Sequence, residues 1–85
     1  MNVIASKKFK KAYDKLPQHI QKKTKKSIEQ LRSDLFYPGL NTKKMEGENL
    51  WEARIDRSYR FTFEKHRDEI ILHTVGPHDR GLGKR

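Results

Sequence analysis

Phe9, Ala12, Tyr13 and Leu16 stand at i, i+3, i+4 and i+7, the spacing of one helical face. Ser6 just before them is a good helix N-cap. Pro17 suits the first turn of a second helix. Ile20, Thr24, Ser27, Ile28, Leu31 and Leu35 then recur at helical spacing, and Lys22, Lys23, Lys25, Lys26 and Arg32 occupy the opposite face. Tyr37-Pro38-Gly39 reads as the end of that helix, and residues 39–49 read as a loop carrying Lys43 and Lys44. From residue 51 the period changes to two. Trp51, Ala53 and Ile55 alternate with Glu52, Arg54 and Asp56, and after an Asp56-Arg57-Ser58 turn, Tyr59, Phe61 and Phe63 alternate with Arg60, Thr62 and Glu64. After a His66-Arg67-Asp68 turn, residues 69–75 are rich in Ile, Leu and Val with weak alternation, which suits a central strand. Gly76-Pro77 reads as its stop, and residues 78–85 as a short polar tail. Val3 and Ile4 make a candidate edge strand at the start.

This pattern predicts a single α+β domain over residues 1–85. An N-terminal strand and a two-helix hairpin pack on one face of a small, mainly antiparallel sheet of about four strands. The apolar side chains of the hairpin strands share the face turned to the helices, and Arg54 and Arg60 project from the other, expected to be bare and cationic.

Composition narrows the function. With 85 residues and 33% hydrophobic residues, the chain supports one small core. There is no cysteine, which excludes disulfides and thiolate zinc sites. No apolar run reaches the ~18 residues of a membrane span, so a cytosolic protein away from membranes is expected. Lys and Arg number 20 against 11 Asp and Glu, a net charge of +9. Residues 1–32 hold ten Lys/Arg and two acids, so the excess lies on the N-terminal third. A domain this basic usually meets a polyanion, and arginines on a sheet face can clamp phosphates through two parallel N–H bonds.

Three segments carry a family resemblance: Leu50-Trp51-Glu52-Ala53-Arg54-Ile55-Asp56-Arg57-Ser58-Tyr59-Arg60-Phe61, Thr74-Val75-Gly76-Pro77-His78-Asp79 and Lys43-Lys44-Met45-Glu46-Gly47. Together with the element order they resemble the RelE/ParE superfamily of toxins from bacterial type II toxin–antitoxin operons, over about residues 3–82. The Gly-x-His at Gly76–His78 is similar to the YafQ branch. The resemblance implies one of two activities. RelE-like members cleave mRNA on the ribosome, and ParE-like members poison DNA gyrase; a relative that binds RNA without cutting it is a further alternative. It also implies a cognate antitoxin, here expected to be acidic, with operator DNA bound only through the toxin–antitoxin complex. For a RelE-like chain the partners would be mRNA and the 70S ribosome.

On this resemblance Arg60 contacts the scissile phosphate, Arg54 supplies a second cation, and His78 is the general acid. Asp79 orients His78 or accepts a proton, where some relatives carry Tyr. Metal-free RNA cleavage needs such a set: a base for the 2′-OH, cations for the phosphate and an acid for the leaving 5′-oxygen. No cofactor and no metal are expected. Lys43 and Lys44 are candidates for phosphate contact, and Lys22, Lys23, Lys25 and Lys26 for rRNA. Each also has a plain structural reading as a solvated charge, and Arg54 as an ion pair with Glu52, Asp56 or Glu64. The acidic base of the YoeB branch has no counterpart, because the matching stretch reads Gly39-Leu40-Asn41. Glu52 is an outside candidate for the base, with an ion pair as its other reading. Trp51, Tyr59, Phe61, Phe63 and His73 are expected in the interior, His19 and His66 on the surface. Arg60→Ala is expected to leave the fold intact.

Overall fold

Two reciprocal capping arrangements shape the helical layer. Ser6 Oγ accepts a hydrogen bond from the Phe9 amide at 3.0 Å and donates to the His73 carbonyl at 3.2 Å. It therefore caps helix α1 (Lys7–Asp14) and ties its start to the sheet. At the corner leading into α2 (Gln18–Ser33), Gln21 Nε2 donates to the Tyr13 carbonyl at 2.9 Å and the Tyr13 hydroxyl donates back to the Gln21 carbonyl at 3.3 Å. These cross-bonds fix the angle of the helix pair. The computed structural model describes residues 1–45 and 49–77. No helix among the described residues is long and apolar enough to cross a membrane.

The second helix ends earlier than its apolar spacing suggests. Asp34 is extended, with φ −159° and ψ 115°, and its carboxylate accepts from the Phe36 amide at 3.0 Å. A side chain that bonds its own downstream backbone offers an alternative to the helix, and here it wins. Leu35 still packs on the core, but from the loop, and Gly39 turns the chain with φ +94°.

Among the described residues the sheet has five strands, in the order β1-β5-β4-β3-β2. They are β1 (Asn2–Ala5), β2 (Lys43–Lys44), β3 (Trp51–Arg54), β4 (Tyr59–Lys65) and β5 (Glu69–Pro77). β1 runs parallel to β5, and the remaining pairs are antiparallel. The fifth strand is β2, two residues within the segment expected as a loop, where Lys43 faces Glu52 and Lys44 faces Trp51. β5 also continues through the expected stop, with Gly76 opposite Arg60 and Pro77 opposite Tyr59. Proline at the last position of a strand removes no donor that the ladder needs further on.

One irregularity explains the weak alternation of β5. Thr62 pairs with Thr74 and Phe63 with Leu72, so His73 is an extra residue in a bulge. The bulge resets the period, and Ile70, Leu72 and Val75 all join the apolar side. His73 is half-buried there rather than enclosed.

The core joins Phe9, Leu31 and Leu40 to Ala53, Phe61, Phe63, Ile70, Leu72 and Val75. Phe61 and Phe63 have ring centroids 6.0 Å apart, and Trp51 stacks on Phe63 at 6.4 Å. Phe63 is fully buried at the centre of this group. Phe63→Ala is expected to destabilise the fold by about 3–5 kcal/mol, the range for large-to-small core changes. Urea unfolding of the purified protein measures it.

Candidate functional site

The β3–β4 hairpin places the site through its register. Trp51 faces Phe63 and Ala53 faces Phe61, so Glu52, Arg54, Arg60 and Thr62 share the opposite side, with Arg54 directly across from Arg60. Like charges at facing positions are destabilising. Each arginine has an acceptor close by. Arg54 Nε donates to the Asp56 carbonyl at 3.3 Å, and Arg60 Nε lies 4.0 Å from Glu52 Oε1.

Lys43 and Lys44 do not act together. Lys43 lies on the side of Glu52, with its Nζ 3.8 Å from Glu52 Oε1, whereas Lys44 pairs with Trp51 and takes the alternate side. Only Lys43 joins the arginines. Arg54, whose expected ion-pair partners were carboxylates, bonds a backbone carbonyl, and Glu52 pairs with Lys43 and Arg60 instead.

This side of the sheet is less open than the sequence suggests. The Glu52 side chain is 5% exposed and that of Arg60 21%. Beside them lies an open depression of about 510 Å³. Its strand residues include Glu52, Tyr59, Arg60, Thr62, Thr74 and Pro77, and Ala12, Lys15, Leu16 and Pro17 line it from the helix corner. Thr62 and Thr74 hydroxyls are hydrogen-bonded across the strands at 2.8 Å. The volume suits a small ligand or one unit of a polymer. Lys15, Thr62 and Thr74 were not singled out from sequence. Lys15 was hidden among the other helical lysines, and the threonines looked like ordinary strand positions.

The helical lysines Lys22, Lys23, Lys25 and Lys26 are all exposed. Lys23 differs from the rest, for its Nζ is 3.3 Å from Asp56 Oδ2. The other Asp56 oxygen accepts from the Ser58 and Tyr59 amides at 2.8 and 3.0 Å. Asp56 thus closes the β3–β4 turn and links it to α2. His78 and Asp79 lie outside the described residues.

The family model for the ParE-like toxin domain matches residues 18–80. Comparison with curated proteins finds no match. Among solved structures, the chain is similar to a chain of the RelB–RelE antitoxin–toxin complex from Methanococcus jannaschii. That pair is 29% identical over 87% of this chain and 88% of the other, with a TM-score of 0.73. YafQ from Escherichia coli strain BL21(DE3) shares the fold at 12% identity, with a TM-score of 0.80 over 96% of this chain and 98% of YafQ. The archaeal RelE–RelB complex from Pyrococcus horikoshii gives 0.77 at 21% identity, over 94% of this chain and 97% of the other.

Asp56 makes a pH prediction with a definite sign. Burial pushes its carboxyl up, but the Ser58 and Tyr59 amides and the Lys23 ammonium outweigh this and hold it below its ordinary value of 3.8. A depressed carboxyl stabilises the fold above its unfolded pKa, and that contribution is lost as pH falls through the lower folded value. Asp56→Ala is expected to cost about 1–2 kcal/mol at neutral pH, by analogy with loss of an Asp cap. The gap between parent and variant should close as the pH is lowered below about 4. Thermal unfolding at a series of pH values checks both.

Proposed function

Because the chain belongs to the ParE-like toxin domain family, within the RelE/ParE superfamily of toxins, we propose that it is an endoribonuclease that cuts mRNA on the ribosome and stops translation. The observation that supports this most is Arg54 directly opposite Arg60, with Lys43 close by on the same side of the sheet. Three cations on one side of the sheet, of which Arg60 lines a depression with the hydroxyl-bearing Tyr59, Thr62 and Thr74, suit a pentacovalent phosphate, whose charge rises as the 2′-oxygen attacks.

In the proposed mechanism the Arg60 guanidinium bonds the non-bridging oxygens of the scissile phosphate, and Arg54 and Lys43 add positive potential. His78 gives its proton to the departing 5′-oxygen, and Asp79 orients the imidazole or accepts the proton that the attacking 2′-hydroxyl releases. The products are a 2′,3′-cyclic phosphate and a 5′-hydroxyl. Lys22, Lys25 and Lys26 supply a salt-sensitive contact to rRNA. Lys44 contacts RNA outside the cleavage centre, and Lys23 contributes less because Asp56 partly neutralises it.

A cognate antitoxin is the second partner in this reading. Two of the similar structures are complexes of RelE with RelB, and a surface with a net charge of +9 suits an acidic segment that folds on it. Operator DNA is reached only through that complex.

The choice of variant matters. Arg60→Ala, which looks harmless from sequence, would remove one of two cations beside a buried carboxylate. Lys43 still reaches the same oxygen, so the change is expected to cost part of the ~3–5 kcal/mol that a buried charge left unpaired costs. Arg60→Lys retains the charge and removes the planar fork. It is expected to slow single-turnover cleavage on programmed ribosomes by about 10²–10³, as for loss of one transition-state donor. His78→Ala is expected to slow it by about 10²–10⁴ with ribosome binding kept. Expression without the antitoxin should stop protein synthesis. Continued synthesis together with DNA damage would instead select gyrase poisoning.

A further inference from the structure

Glu52 is an acidic side chain set among the cations of the site, and its burial is unexpected. Its side chain is 5% exposed, on the side of β3 opposite Ala53 and the apolar core. A carboxylate so far from water requires compensating charge. Lys43 from β2 and Arg60 from β4 provide it from the two neighbouring strands, and both approach the same oxygen, Oε1, at 3.8 and 4.0 Å. We propose that Glu52 is a positioning residue whose carboxylate holds Arg60 on its Nε side by an ion pair and keeps Lys43 beside it, so that Arg60 stands ready at the depression.

The arrangement has a physical rationale. Arg60 faces Arg54 across the hairpin, and Lys43 is close on the same side. Three cations so near one another would splay apart in the absence of RNA. A carboxylate between two of them removes one unit of that repulsion. It also restricts the Arg60 side chain before substrate arrives, so less entropy is lost when phosphate binds. The acid does this from inside the sheet, where its own charge is matched by the two cations. This inference rests on the ribonuclease reading for its catalytic consequence, but not for the hold itself.

Two measurements on the full-length protein test it. The first is the Nε–Hε resonance of Arg60 by NMR, in the parent and in Glu52→Gln. A held guanidinium should give a peak displaced from those of free arginines, and the substitution should move it toward them. An unchanged peak overturns the hold. The second is single-turnover cleavage. Glu52→Gln should slow it by about 10- to 100-fold through misplacement of Arg60. Glu52→Asp, which retains the charge, should recover part of the loss, and ribosome affinity should not fall. In an Arg60→Lys background, Glu52→Gln should add little, because the guanidinium fork whose placement depends on Glu52 is already gone. Parental cleavage by Glu52→Gln overturns the proposal, as does a full additional loss in the Arg60→Lys background. Loss of the acidic limb of the pH–rate profile would also overturn it, by making Glu52 the general base. If Glu52→Gln does not fold, Glu52→Asp carries both measurements: a shifted Arg60 resonance with slower cleavage supports the hold, and parental behaviour in both overturns it. A parent protein inactive on ribosomes would defeat the ribonuclease reading, while the Arg60 resonance still decides the hold.

Discussion

The register of β3 against β4 is the constraint on which the rest depends. Side chains alternate across a strand with period two, so a slip of one residue would send Phe61 and Phe63 to the solvent side and Arg60 and Thr62 into the core. The apolar pattern alone penalises that slip heavily. Asp56 adds a local lock, because its carboxylate accepts from the Ser58 and Tyr59 amides and fixes where the turn begins. The same residue reaches Lys23 on α2 and receives a bond from Arg54 at its carbonyl. One turn therefore sets the pairing of the strands, the contact with the helix layer and the place of a cationic side chain.

Charge is handled differently on the two sides of the molecule. On α2 the exposed lysines remain in water, where their repulsion is weakened by solvent and salt. On the sheet, the arginines face each other at closer quarters and with less water, so the fold supplies acceptors within reach. The Asp56 carbonyl serves Arg54, and the Glu52 carboxylate serves Arg60 and Lys43. The sheet face retains a positive excess while the cost of gathering it is limited. Arg60 is thus bound up with the stability of the sheet as well as with the proposed chemistry.

The core that supports this is small, but its parts reinforce one another. Ser6 caps α1 and bonds the His73 carbonyl, and His73 is the extra residue whose bulge returns Val75 to the apolar side. The helix start and the strand irregularity are thereby joined. A chain with 33% hydrophobic residues gains from such links, since burial alone has little to spare.

Much of this architecture was legible in the chain. The two helices follow from the 3.6-residue spacing of Phe9–Leu16 and Ile20–Leu31, and the hairpin from alternation about Asp56, because local periodicity records which side chains a folded chain must bury. The family was legible too, through the segment from Leu50 to Phe61, and so was the common side of Arg54 and Arg60. Four features needed the tertiary structure: the end of α2 at Ser33, the two-residue strand β2, the bulge at His73 and the burial of Glu52. Each depends on a partner distant in sequence or on competition between bonds. Asp34 takes its own backbone in preference to the helix, Lys43 and Lys44 become a strand only because β3 lies beside them, and the bulge appears only when β4 sets the register. Glu52 reads from sequence as an ion-pair partner on an open sheet face, or as an outside candidate for the base. Its role is decided by two cations on neighbouring strands, and alternation along a single strand carries no information about what stands across the ladder.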